Sequence, residues 1–218
     1  MEIVLILPVL VFSIVVHEYA HGWAALRQGD PTAQMLGRLT LHPVPHIDPV
    51  GSILVPLLLW LAPGGLLFGW AKPVPVNPRN FRNYRRGDII VSLAGVTANF
   101  LLAVAFTVAA VLLVYLGRLV PQLGAIVTAL LDMARIGVWI NLILVFFNLI
   151  PIPPLDGSHV LYHLLPARIG ARYREFGRYG VLILLVVMLP FGRPLLQLVL
   201  WPVFALNALS ETFIRLVT

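Results

Sequence analysis

Residues 3–26 read IVLILPVLVFSIVVHEYAHGWAAL, and this stretch decides the fold. At 1.5 Å per residue it makes a helix of about 36 Å, enough to cross a hydrocarbon core of about 30 Å. It is not a signal peptide by pattern: a basic n-region is missing, Glu2 is the only early charge, and the apolar run is too long. Yet the run carries His17, Glu18 and His21. Ionisable groups in a spanning helix are costly in lipid and mark a functional site by default. The spacing is H-E-x-x-H. At about 100° per residue the two histidines lie about 40° apart and one turn along the axis, so both imidazoles can reach one Zn²⁺, with Glu18 beside it to act on a bound water. The alternative is a polar pair stitching helices together, which would bury Glu18 beside two histidines for packing alone.

Composition agrees with a membrane chain. Of 218 residues, 15 are Lys or Arg and 9 are Asp or Glu, so 11% are charged against the usual ~25%. Hydrophobic residues make up 60% and mean hydropathy is +0.94. That balance rules out a disordered chain and argues against a soluble globular domain. With no Cys, disulfides and thiolate metal sites are excluded too. The net charge of +6 fits the positive-inside bias of membrane loops better than a nucleic-acid partner.

Working outward, Arg27–Pro49 is more polar, and Pro43, Pro45 and Pro49 forbid a helix; a short extended or β-hairpin segment is expected there. Val50–Trp70 is apolar but broken by Pro56, Pro63 and Gly64-Gly65. Ala71–Asp88 is an extended basic loop with Lys72, Arg79, Arg82, Arg85 and Arg86. Ile89–Leu116 and Ile126–Ile150 are further spans, and a short helix after Asp156 ends near Leu165. A basic stretch with Arg168, Arg172, Arg174 and Arg178 then leads to a last span at Val181–Leu200 and an amphipathic tail. The expected fold is an all-α polytopic membrane bundle forming one domain over 1–218, with a core at 1–165 and a C-terminal amphipathic segment and helix at 166–218.

A catalytic zinc site takes three protein ligands and leaves one position open. Most carboxylates here (Glu2, Asp30, Asp48, Asp88, Asp132, Glu175, Glu211) read as solvated or salt-bridged. Asp156 differs, because it follows an apolar span and a proline-rich break and precedes Gly157, so the chain turns near membrane depth. A turn-capping Asp is the alternative. Of the other histidines, His42 and His46 read as loop or interfacial residues. His159 and His163 share a helix face after Asp156 and read as support for the site or as a buried hydrogen-bonded pair, ahead of a second metal site. Gly95 and Asn99 either permit close helix packing or bring Asn99 to the site.

Taken together, His17-Glu18-Tyr19-Ala20-His21, Ser92-Leu93-Ala94-Gly95-Val96-Thr97-Ala98-Asn99, and Asn148-Leu149-Ile150-Pro151 through Leu155-Asp156-Gly157 resemble the site-2 protease family of intramembrane zinc metalloproteases. Gly69-Trp70-Ala71-Lys72-Pro73-Val74-Pro75-Val76-Asn77-Pro78 resembles a motif of its compact bacterial members, which have no PDZ domain. The resemblance implies one Zn²⁺ held by His17, His21 and Asp156, Glu18 as catalytic base, and Asn148 on the substrate or the developing oxyanion. It also implies a transmembrane segment as substrate.

Zinc binding from both helix ends requires them on one side of the membrane. That parity holds if Val50–Trp70 re-enters and returns, which also gathers Arg27, Arg38, Lys72, Arg79, Arg82, Arg85 and Arg86 on one side. The expectation is therefore a multi-pass cell-membrane protein with its site toward the cytoplasm. Lys72, Pro73 and Val74 form an extended segment able to hold a substrate by strand addition, with Asn99 as a further substrate contact. A membrane di-iron oxygenase would need more His boxes than six histidines provide. A non-catalytic zinc scaffold or metal transporter is the remaining alternative, and Glu18 discriminates, since a scaffold has no use for an unligated carboxylate beside the metal.

Overall fold

A computed structural model describes residues 2–54 and 71–217 of the chain. Among the described residues every regular element is helical. The first helix, α1 (Glu2–Gln28), stops at Gly29, whose φ of 110° suits glycine alone, while Asp30 N–H donates back to the Ala25 carbonyl at 2.9 Å. A single turn, α2 (Thr32–Met35), follows. The long α3 (Tyr84–Leu119) is capped by Asn83, whose side chain accepts from Arg86 N–H at 3.0 Å. Next come α4 (Gly124–Asn148), α5 (Asp156–Leu164), α6 (Ala167–Phe176) and α7 (Gly180–Val217).

Among the described residues four stretches are long and apolar enough to cross a membrane: Val4–Gln28, Tyr84–Leu119, Pro121–Asn148 and Pro194–Val217. The chain is thus an all-α polytopic membrane protein. α3 lies along α4, and α1 packs on both; α7 closes the far side against α4. The centre between α3, α4 and α7 is apolar, with Ala103, Val138, Leu142 and Val203 buried against Phe106, Trp139 and Phe146. Leu101, Leu112, Leu198 and Trp201 point outward, which suits a lipid-facing surface. Arg135, which interrupts the apolar run of α4, pairs with Glu211 of α7 at 3.3 Å.

After α2 residues 38–40 have no regular structure, Val44–His46 form a 3-10 turn and Pro49–Leu54 a short helix. No strand occurs among the described residues, so the hairpin is absent and the expected extended segment is interrupted by helical turns, because a proline is tolerated in a first turn. The re-entrant reading of Val50–Trp70 falls mostly on 55–70, outside the described residues. The chain on either side of it nevertheless meets: Lys72 N–H donates to the His46 carbonyl and Arg82 N–H to the Gln28 carbonyl, both at 2.9 Å. α3 therefore begins at the end of the bundle where α1 finishes, and the parity the site needs is present. At the C-terminus the expected amphipathic tail is not a separate element. It continues the same helix to Val217, and within that helix the described stretch Pro194–Val217 is long and apolar enough to span.

Candidate metal centre

His17 and His21 sit in the C-terminal half of α1, their rings edge to face at 4.6 Å between centroids. Asp156 is the first residue of α5. What delivers it is Gly157: a Cβ there would stand 2.2 Å from the Leu149 carbonyl oxygen, so only glycine lets the chain turn this closely past the end of α4. The result is a three-atom convergence. His17 Nε2 and His21 Nε2 are 3.0 Å apart, and Asp156 Oδ2 lies 3.3 Å from the first and 3.4 Å from the second.

The opposite edges of both rings are committed. His17 Nδ1 is 2.5 Å from Asn99 Oδ1, and His21 Nδ1 is 2.8 Å from the Val91 carbonyl. Both partners are acceptors, so each Nδ1 carries its proton and donates it, and each Nε2 presents a lone pair. The buried Asp156 Oδ2 has no hydrogen-bond partner. Three acceptors turned on one point repel unless a cation sits among them. A tetrahedral ion with bonds of about 2.0–2.1 Å needs donor atoms about 3.3 Å apart. The observed 3.0–3.4 Å fits, and among the described residues this is the one His/Asp/Glu group with such spacing. Two imidazoles and a carboxylate are a donor set that suits Zn²⁺.

Gly95 supplies the space. A Cβ at that position would lie 2.5 Å from His21 Nε2 and 2.7 Å from His17 Nε2. Its sequence partner Asn99 is fully buried under His17, which corrects the expectation of a substrate contact: its side chain supports the ring instead.

Glu18, next to His17, is half-buried, and its Oε2 accepts the Val74 N–H at 2.8 Å. Val74 belongs to a strap, residues 72–77, pinned at several points. Arg38 Nη2 donates to the Lys72 and Pro73 carbonyls at 2.9 and 3.3 Å, and Asn77 N–H donates to Asp30 Oδ2 at 2.7 Å. Val74 is buried against Gly22 while Lys72 and Pro73 are exposed. Asn148 does not join the three donors; its amide donates to the Leu144 carbonyl of its own helix at 2.9 Å.

Two carboxylates read as solvated or salt-bridged surface groups are buried, Asp30 among hydrogen-bond donors and Asp88 paired with histidines. Asp30 also accepts from the Thr32 hydroxyl (2.5 Å), Thr32 N–H (3.2 Å) and the Asn80 amide (2.7 Å). Burial pushes its carboxyl up, but these donors outweigh burial and hold it below the usual carboxylate range. Asp88 of α3 meets His163 at 2.7 Å and His159 at 3.3 Å, so the α5 histidine pair is a clamp onto α3. The i,i+4 spacing of those histidines was visible in the sequence; their partner, more than seventy residues away, was not.

The pattern of "Peptidase family M50" matches residues 69–191. The chain is 39% identical over 97% of its length, and 91% of the relative's, to "Putative zinc metalloprotease YwhC" of Bacillus subtilis. It is 31% identical to "Putative zinc metalloprotease Rip2" of Mycolicibacterium smegmatis, covering 91% of this chain and 72% of the relative. To the protein of the same name from Mycobacterium tuberculosis it is 33% identical, covering 79% and 62%. No solved structure matches it significantly. With that match spanning more than half of the chain and that relative nearly all of it, the chain belongs to peptidase family M50, the site-2 protease family.

Proposed function

We propose that this protein is an intramembrane zinc metalloprotease that hydrolyses a peptide bond in or near a transmembrane segment of a membrane-protein substrate. The convergence of His17 Nε2, His21 Nε2 and the unpartnered Asp156 Oδ2 beside Glu18 carries this reading. These three side chains would hold one Zn²⁺ per chain. When bound, the ion lowers the pKa of its water toward about 7 and polarises the scissile carbonyl.

The chain's own residues do the rest. Asn99 and the Val91 carbonyl hold the imidazoles with Nε2 turned inward. Glu18 takes the water proton and passes it to the leaving nitrogen. Asn148 stabilises the oxyanion after its amide leaves the Leu144 carbonyl. A helical substrate shields its peptide bonds, so it must be held extended. Within Lys72–Val76 only Lys72, Val74 and Val76 bear N–H groups, because Pro73 and Pro75 have none. The Val74 N–H is donated to Glu18 and the Lys72 N–H to the His46 carbonyl, so a substrate strand would pair at Val74 by taking the place of the Glu18 carboxylate, which frees Glu18 to act as base. Positive-inside bias puts the strap, the basic start of α3 and α6 on the cytoplasmic side, and the site with them. Residues 1–218 would act as one membrane-embedded catalytic domain.

Zinc content and cleavage of transmembrane-segment reporters, for wild type against Glu18→Gln in detergent, test this. Retained zinc with cleavage lowered by about 10²–10⁴-fold is expected for loss of a general base. Equal cleavage by both proteins would remove Glu18 from the mechanism. Stoichiometric zinc with no cleavage by either, across a broad panel, would favour a zinc-binding scaffold or transporter.

A further inference from the structure

We propose that Asn141, on α4, is a positioning residue for His17: it fixes which way the Asn99 amide faces, and through it which ring nitrogen of His17 is left to bind the metal. Asn141 is fully buried, as are Asn99 and Ser13, which lies one turn before His17 on α1. No side chain among these touches solvent, so every polar atom must find its partner within the bundle.

The hydrogen bonds run in one direction. Asn141 Nδ2 donates to the Gly137 carbonyl at 2.8 Å and to Ser13 Oγ at 2.9 Å. Its Oδ1 therefore faces away from Gly137, and accepts from Asn99 Nδ2 at 2.7 Å. Asn99 Nδ2 also reaches the Ser13 carbonyl at 3.3 Å. With its nitrogen committed to acceptors, Asn99 must present Oδ1 to His17 Nδ1. An oxygen there accepts, so His17 keeps the proton on Nδ1 and offers the Nε2 lone pair.

Reversing the relay fails at each step. A flipped Asn99 would aim its NH₂ at His17 Nδ1, force the proton onto Nε2, and destroy one donor of the metal centre. The same flip would set its oxygen against Asn141 Oδ1 and the Ser13 carbonyl. Asn141 is prevented from flipping in turn by the Gly137 carbonyl, which can only accept. A backbone carbonyl in α4 thus sets the polarity of a side chain two helices away. The inference rests on the metal-centre reading above, but assigns the role to a residue that touches none of the three donors.

The test is zinc affinity, by chelator competition at fixed pH, together with apo melting temperature. Asn141→Leu fills the same space and leaves Asn99 free to turn; a fall of about 10–100-fold in zinc affinity is expected, the range typical of losing an outer-shell partner. Asn141→Asp, kept neutral by burial, can donate its O–H to Gly137 and accept from Asn99; it should stay within about threefold of wild type. Ser13→Ala leaves the Gly137 anchor in place and should likewise change little. The ¹⁵N shifts of His17 in the apo protein should report the Nδ1–H form in wild type and Asn141→Asp, and a mixture in Asn141→Leu. That spectrum separates a tautomer effect from simple loss of fold. Unchanged affinity in Asn141→Leu, or an equal loss in all three variants, would overturn the role of Asn141 while leaving the metal centre intact. Absence of zinc binding by wild type would overturn both.

Discussion

Glu18 and Val74 are 56 positions apart in the chain, yet Glu18 Oε2 accepts the Val74 N–H at 2.8 Å. The carboxylate nearest the metal donors in sequence is thereby tied to the backbone of the segment proposed to hold an extended substrate. A substrate strand docking on that edge would meet the strap and the proposed base together, so the strap's rigidity becomes a catalytic property.

Arg38→Ala tests that link. Arg38 holds the Lys72 and Pro73 carbonyls, and without it the strap keeps the Glu18 and Asp30 anchors only more loosely. Cleavage should fall by about tenfold, roughly the 1.4 kcal/mol of one charge-assisted hydrogen bond, with zinc content unchanged. Loss of zinc in this variant would show that Arg38 supports the metal centre itself.

Gly95→Ala should abolish zinc binding. The added Cβ would stand 2.5–2.7 Å from both Nε2 donors, and the rings must leave their hydrogen bonds to make room. Strain of about 1–3 kcal/mol is expected in the fold, visible as a lower melting temperature in the apo protein. Wild-type zinc stoichiometry in this variant would mean that the ion sits elsewhere.

The clamp of Asp88 on His163 and His159 holds α5, and α5 begins with Asp156. Asp88→Ala leaves two histidines without their partner and should cost about 1–3 kcal/mol of stability. Because Asp156 then floats, zinc affinity should fall as well. Melting curves with and without added zinc measure both: the shift produced by a fixed zinc excess should be smaller in the variant than in wild type.

Asp30 gives the strap a pH dependence. Its folded pKa lies below the ordinary value, so the stabilisation is complete above about pH 4 and is lost as pH falls through the lower folded value. The chain has no Cys, so a spin label on a single Val76→Cys reports strap motion cleanly. Its mobility should be low at neutral pH and rise only below the ordinary carboxylate pKa. In Asp30→Asn, where one oxygen becomes a donor, it should be raised at every pH. A label as restrained in Asp30→Asn as in wild type would refute the anchoring role.

The spans were legible because each is a long apolar run, and the two histidines because i,i+4 spacing on a helix is fixed by backbone geometry alone. Asp156 stood out by its position after a proline-rich break and before Gly157. Asp30 and Asp88 did not. A carboxylate in a polar loop or at a basic helix start looks the same whether water or buried donors surround it.

The sequence by itself therefore determined a multi-span helical protein with a His-Glu-x-x-His turn inside its first helix, since those features need only neighbours a few residues away. The tertiary structure decided which distant groups meet that turn: Asp156 at its Nε2 atoms, Asn99 beneath His17, Val74 on Glu18, Asp88 under α5. The physical reason lies in the spans themselves. A helix apolar on every side carries no hydrophobic phase to say which face turns inward. That phase is set instead by where glycine permits contact and where buried polar groups find partners, which are properties of the packed bundle.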